Sequence, residues 1–210
     1  MNAERLQAQC FEFISRTAPT DAAHDVSHVK RVVKTTLYLT DIEKANVSIT
    51  LPAACLHDCI SPPKDSPLRS QASRMAAEAA VEFLADIAYP EEWLPGIAHA
   101  IEAHSFSANI PCRTLEAKVV QDADRMDALG AVGIARCLAV GGMFGTPLFN
   151  PDDPFCESRE PDDKAWTIDH FYTKLFKLPD TMQTEAGRVE ALRRAGVMQR
   201  YLEDLGKEVL

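Results

Sequence analysis

Apolar residues recur every three or four positions along nearly the whole chain, and no stretch alternates apolar and polar residues as a half-buried strand would. A chain patterned this way must bury helix stripes against helix stripes, so it is expected to be all-α, a compact helical bundle. Hydrophobic residues make up 46% of the 210, enough for one sizeable core. No internal repeat is present. The expected organisation is a single helical domain over 1–210. A long loop at 141–162 and closing helices within 163–210, packed on the same domain, complete it.

The punctuation places the elements. A first helix is expected over about 3–16, ending before Pro19. Asp25 or Ser27 caps a second, whose apolar side holds Val29, Val32, Val33, Leu37 and Leu39. A short third helix from about Pro52 carries His57-Asp58. Pro62, Pro63 and Pro67 make 61–67 a loop, and Pro67 suits the first turn of an alanine-rich helix over about 67–88. Helices over about 91–103 and 114–140 follow. Gly141, Gly142 and Gly145, then Pro147, Pro151, Pro154 and Pro161, mark the 141–162 loop. A loop of that length is either a surface excursion or a lid over a site. Helices over about 163–178 and 184–207 end the chain.

The chemistry concentrates at His57-Asp58, which follows the apolar run Leu51 to Leu56. Adjacent helical residues point about 100° apart, so the pair can flank one ion but cannot share an apolar stripe. A buried histidine beside a buried aspartate needs partners, and a divalent metal would pair with both. Ordinary helix-end caps are the alternative. His28 upstream and Asp124 downstream add a second imidazole and a second carboxylate from separate helices.

The ordered set His24-Asp25-Val26-Ser27-His28, Leu56-His57-Asp58 and Asp122-Ala123-Asp124-Arg125-Met126-Asp127 resembles the HD-domain metal-dependent phosphohydrolases, in particular their small bacterial single-domain branch. The resemblance runs over nearly the whole chain, including Pro63 to Ser73 and Ile168 to Leu175. It implies the HD-type helical bundle, with His28, His57, Asp58 and Asp124 as ligands of one divalent ion. Nitrogen ligands favour manganese, iron, cobalt, nickel or zinc over magnesium, which prefers oxygen; manganese is the expected ion, with magnesium, nickel, cobalt, iron or zinc as substitutes. His57 and Asp58 are thereby also catalytic. His24 precedes the helix and is a weaker candidate for the ion or a phosphate. Asp124 and Asp127, three apart on the expected helix, share a face, and Asp127 is assigned to orient a ligand or a water. Asp122, about 200° from Asp124, is read as a structural ion pair.

Cations near these residues supply a phosphate-binding reading. Arg31 lies one turn after His28. Lys64 offers a point charge, Arg69 a planar fork at a helix start, and Ser70 and Ser73 hydroxyl donors from one face. His104, at a helix end, is placed near the substrate phosphates, while His99, about 140° away on the same helix, is read as structural. A solvated loop with a basic helix start is the alternative to phosphate binding, which the resemblance favours. Asp65 is the nearest loop carboxylate for a general base, with Glu78 and Asp127 as others. Asp169, His170 and Lys174 form either a solvated helix face or a pocket wall.

The activity implied is metal-dependent hydrolysis of a phosphate ester or anhydride. The favoured substrate is a nucleoside or deoxynucleoside triphosphate cut at the α-phosphate to release pyrophosphate. A nucleotide-sensing module without turnover, or a phosphomonoesterase or phosphodiesterase, are the alternatives. The net charge of −9 excludes duplex nucleic acid as a main partner. No apolar run is long enough to span a membrane and the N-terminus has no signal-peptide core, so a cytoplasmic monomer or homodimer is expected. The six cysteines contain no C-x-x-C pair and are expected to be packed thiols.

Overall fold

The computed structural model describes residues 2–17, 26–60, 62, 68–105 and 108–209. Among them there are nine α-helices and no strand: α1 (Ala3–Thr17), α2 (Val26–Glu43), α3 (Val47–Leu56), α4 (Ala72–Asp86), α5 (Leu94–His104), α6 (Leu115–Met126), α7 (Gly130–Phe144), α8 (Asp169–Thr173) and α9 (Glu185–Val209). The all-α expectation holds. No single described helix is long and apolar enough to cross a membrane. The chain divides into two compact units, Met1–Asp124 and Arg125–Leu210.

In the first unit α3 is the hub, packed against α1, α2, α4 and α5. Its residues from Thr50 to Leu56 are all buried, as an α-helix that is apolar all round must be. Asn46 caps it, its side-chain oxygen accepting from the Ser48 N–H at 2.9 Å. Pro52 lies inside this helix and has no N–H to give the Ser48 carbonyl, its i−4 partner. The Tyr89 hydroxyl donates to that carbonyl at 2.8 Å instead. The proline is tolerated because a distant side chain satisfies the acceptor it strands. Tyr89→Phe is therefore expected to destabilise the fold by about 1 kcal/mol, measured by urea unfolding, since it leaves a part-buried carbonyl unmatched.

The helix expected over 114–140 is two helices. Gly130, at φ +72°, adopts the left-handed conformation and breaks it, with residues 127–129 in a turn. The 141–162 loop begins later than expected. Gly141 and Gly142 are helical, and α7 ends at Gly145, φ +67°. There the Thr146 N–H reaches the Gly141 carbonyl at 2.9 Å and the Gly145 N–H reaches that of Gly142 at 3.2 Å, a Schellman closure. Gly141 is a packing residue: a Cβ there would collide with the Thr167 side chain. Gly133 similarly lies against the Ala128 carbonyl. The helix expected from 163 starts only at Asp169, and a 3-10 turn over Leu175–Thr181 follows it. Side chains compete with the helix here: the Asp169 carboxylate accepts the Asp162 N–H at 2.7 Å, and Asp163 accepts from Thr173 at 2.8 Å.

The second unit is closed by α9, which packs on α7 and on the 3-10 turn. Arg194 from α9 donates to the Met126 carbonyl at 2.9 Å. Asp169 is fully buried and paired in a two-pronged contact with Arg159, at 2.5 and 2.8 Å. That contact joins the loop after α7 to α8.

Candidate metal centre

Helix α2 delivers His28 on its packed face, with Val29, Val32 and Val33 buried beside it. His57 is not within α3 but caps its C-terminus, and Asp58 lies in the turn that follows. The dipeptide thus stands at the exit of the most buried helix of the first unit. Helix α6 contributes Asp124, and α5 contributes its last residue, His104.

The four side chains expected as ligands converge. His28 Nε2 is 3.2 Å from His57 Nε2 and 3.4 Å from Asp124 Oδ1. His57 Nε2 is 3.7 Å from that oxygen and 3.6 Å from Asp58 Oδ2. His57 Nδ1 faces the Ala54 carbonyl at 2.8 Å. A carbonyl only accepts, so Nδ1 carries the proton and Nε2 presents its lone pair to the cluster. His104 repeats the arrangement: Nδ1 donates to the Ile101 carbonyl at 2.6 Å and Nε2 lies 3.5 Å from Asp58 Oδ1.

Two buried imidazole nitrogens facing each other and two carboxylates form a donor set that suits a cation. Ligand atoms about 2.1 Å from one ion stand roughly 3.0–3.4 Å apart in octahedral or tetrahedral geometry, close to the spacings here. His28, His57 and Asp58 alone offer three atoms within 4.8 Å of one another. The residues fit a divalent ion. Burial pulls the His57 imidazole below its usual range despite the nearby carboxylates. Burial also works against the charged forms of His104 and Asp124. Contact with Asp58 nevertheless raises His104, and the His28 hydrogen bond with the surrounding imidazoles holds Asp124 down.

Other expected residues are placed variously. Lys64, Asp65, His24 and the side chain of Arg69 lie outside the described residues. The Arg69 backbone forms a 3-10 turn, Arg69–Gln71, ahead of α4, so the helix starts later than Pro67 suggests. Ser70 is exposed whereas Ser73 is buried, so they do not present hydroxyls from one face. The Ser73 Oγ has no hydrogen-bond partner among the described residues. Arg31 is half-buried on α2 and Glu78 is exposed. His99 Nε2 accepts the Arg113 N–H at 3.0 Å, a structural contact. Asp122 is fully buried. Asp127 falls beyond the end of α6, so the helical face assumed for it with Asp124 does not exist. It belongs to the second unit, where Arg136 donates to it at 2.5 Å. Cys55 and Cys59 are buried thiols. A hydrogen bond with Cys10 and burial raise Cys55, and burial pushes Cys59 up to about 12.

Sequence reasoning missed the Asp163–His170 contact at 2.7 Å and the Arg159–Asp169 pair. Both are closed by non-helical backbone, so no periodic signal announces them.

The HD-domain family profile matches residues 25–129, half of the chain. The protein YpgQ of Bacillus subtilis is 32% identical over 193 residues, 90% of this chain and 85% of YpgQ. The crystal structure of YpgQ in complex with ADP superposes with a TM-score of 0.75 at 29% identity, covering 100% of this chain and 97% of that one. An HD-superfamily hydrolase from Bacillus thuringiensis gives 0.76 at 32% identity, over 99% and 98% of the two chains. With the His, His-Asp and Asp side chains gathered at one point and these likenesses over the full length, the chain belongs to the HD-domain superfamily of metal-dependent phosphohydrolases.

Proposed function

We propose that the protein is a divalent-metal-dependent nucleotide phosphohydrolase that cuts a nucleoside or deoxynucleoside triphosphate at the α-phosphate and releases pyrophosphate. The observation that carries the reading is the convergence of His28, His57, Asp58 and Asp124, with His57 held in the tautomer that turns its lone pair to the cluster. The ADP complex of YpgQ supports a nucleotide as ligand.

In this reading those four residues hold one ion, manganese by preference. When bound, the ion supplies Lewis-acid polarisation of a phosphoryl oxygen and lowers the pKa of a water. His104, whose ring is oriented by the Ile101 carbonyl, and the cations Arg31, Lys64 and Arg69 balance phosphate charge. Ser73 offers a buried hydroxyl that lacks a partner among the described residues, and a substrate oxygen would satisfy it. Ser70 is a further donor at the same helix start. Asp65 is the candidate for accepting the proton of the attacking water.

The test is phosphate release from a nucleotide panel by metal-stripped protein resupplied with manganese, magnesium, nickel or cobalt, with and without added pyrophosphatase. Signal that needs both metal and pyrophosphatase is expected. Signal without pyrophosphatase would redirect the reading to terminal-phosphate or monoester cleavage. Tight nucleotide binding with no turnover would make the protein a sensing module.

Metal removal has its own expected outcome. An ion that binds only the folded chain stabilises it by about 2.7 kcal/mol when present at 100 times its dissociation constant. Chelation should therefore lower the melting temperature by several degrees, and manganese should restore it, as read by differential scanning calorimetry.

A further inference from the structure

We infer that the first unit carries a binding site for a small organic cation, of the class of short aliphatic diamines, in a pocket between the C-terminal halves of α1 and α4. Its volume is about 360 Å³, roughly that of twelve liquid waters. That is room for an aliphatic chain of several carbons with an ammonium at each end. The lining residues fall within 9–16 and 79–87, all in one unit. None of them is a proposed metal ligand or phosphate contact, so the inference stands apart from the hydrolase reading.

Three independent features of the wall call for a cation. The first is charge. Glu12, Glu82 and Asp86 line the pocket against one cation, Arg16. Arg16 is already paired with Glu12, one turn earlier on α1. The Glu82 and Asp86 carboxylates, one turn apart on α4, have neither an ion pair nor a hydrogen bond among the described residues. Like charges at that spacing repel, and an ammonium between them turns the repulsion into attraction. The last turns of both helices also reach this wall, and helix C-termini favour positive charge. The second feature is aromatic. Phe13 and Phe83, both half-buried, stack across the two helices with ring centroids 4.3 Å apart. The pair offers apolar surface to methylenes and a negative ring face to an ammonium. The third is an acceptor without a donor. Gln9 lines the pocket, and its Oε1 is shielded from solvent and accepts no hydrogen bond among the described residues. A buried acceptor of this kind normally has a partner. The terminal torsion of a glutamine is soft, so the amide can turn to meet a ligand N–H. One ammonium at Glu82 and Asp86, methylenes on the rings and a second ammonium at Gln9 satisfy all three at once.

The probes are putrescine, a four-carbon diamine, and butylamine, which has the same chain and one ammonium. Each is titrated by calorimetry into full-length protein at low salt, first in chelator and then with manganese added. Putrescine should bind saturably, more tightly than butylamine, and equally well in both metal states. The double variant Glu82→Gln, Asp86→Asn should weaken putrescine roughly tenfold, the loss of a charge-assisted hydrogen bond. Both positions are exposed, and the variant removes a repulsion, so it should melt no earlier than wild type. Phe83→Leu should weaken putrescine about threefold, the size of a cation–π contact at a solvent-facing site. Asp41→Asn, at an exposed carboxylate on α2, should leave the affinity unchanged. Absence of saturable binding, equal affinity for the two amines, unchanged affinity in either wall variant or weakened binding in Asp41→Asn would each overturn the proposal. Displacement of putrescine by manganese would put the amine at the metal centre and overturn it as well. None of these outcomes bears on whether the metal-loaded protein hydrolyses triphosphates, so the two readings fail separately.

Discussion

Asp58→Ala should abolish metal-dependent turnover and lower manganese affinity by at least roughly 100-fold. Groups that merely orient a ligand typically contribute 10–100-fold in affinity or activity, and a group that itself faces the ion should exceed them. Its Oδ2 lies 3.6 Å from His57 Nε2 and its Oδ1 lies 3.5 Å from His104 Nε2, so truncation removes one corner of the donor set and the partner of a second imidazole. The side chain is a quarter exposed and stands in a turn rather than in the core. The chelated variant should therefore melt within a few degrees of chelated wild type. Isothermal titration with manganese and a malachite-green assay coupled to pyrophosphatase measure the two losses. A variant that melts early but binds metal as wild type would show the His57-Asp58 pair to be structural.

The largest expected loss of stability is at Asp169→Ala. Truncating one partner of a buried ion pair leaves the other charge uncompensated, at a cost of about 3–5 kcal/mol. Arg159 is 21% exposed, so water recovers part of that cost and about 3 kcal/mol is expected. The variant also strands the Asp162 N–H, which the same carboxylate accepts. Burial favours the protonated acid, but the Arg159 guanidinium and the Asp162 N–H more than offset it and hold the Asp169 pKa below its ordinary value. A depressed carboxylate stabilises the fold above its unfolded pKa, about 3.9, and that contribution is lost as pH falls through the folded value. The difference between variant and wild type should therefore be full at pH 7 and should shrink below about pH 4. Urea unfolding at both pH values checks it. A difference independent of pH would mean the loss is one of packing rather than charge.

The fold was legible where helical periodicity was unbroken. α1, the start of α2 and α9 fall within a residue or two of expectation because each helix carries a continuous apolar stripe over several turns. The errors cluster at glycines. Gly130 looks like a tolerated helical glycine, but its positive φ marks the start of a separate helix, whereas Gly141 looks like a loop residue and is a contact with Thr167. The same three-letter name serves two opposite purposes, and only the tertiary surroundings decide between them. Misplacing the break at Gly130 also misplaced Asp127, since its assumed face depended on an unbroken helix. The converging set was legible because His28, His57-Asp58 and Asp124 are spelled out in order. The orientation of His104 toward Asp58 was not, because it depends on where α5 stops. Nor could the sequence show that Asp163 and His170, seven residues apart with no helix between them, would meet.

The placement of His57 at the end of α3 has a kinetic consequence. Ligands on surface loops can swing aside one at a time, and an ion then leaves through local fluctuation. Here the imidazole is anchored to the Ala54 carbonyl of a helix enclosed by four others, so displacing it means opening the core of the first unit. Ion exchange should then share its barrier with the slowest amide protons of α3, and the two rates should rise together with temperature. A centre of this kind would retain a bound ion by the rigidity of its surroundings, over times longer than equilibrium affinity alone would suggest.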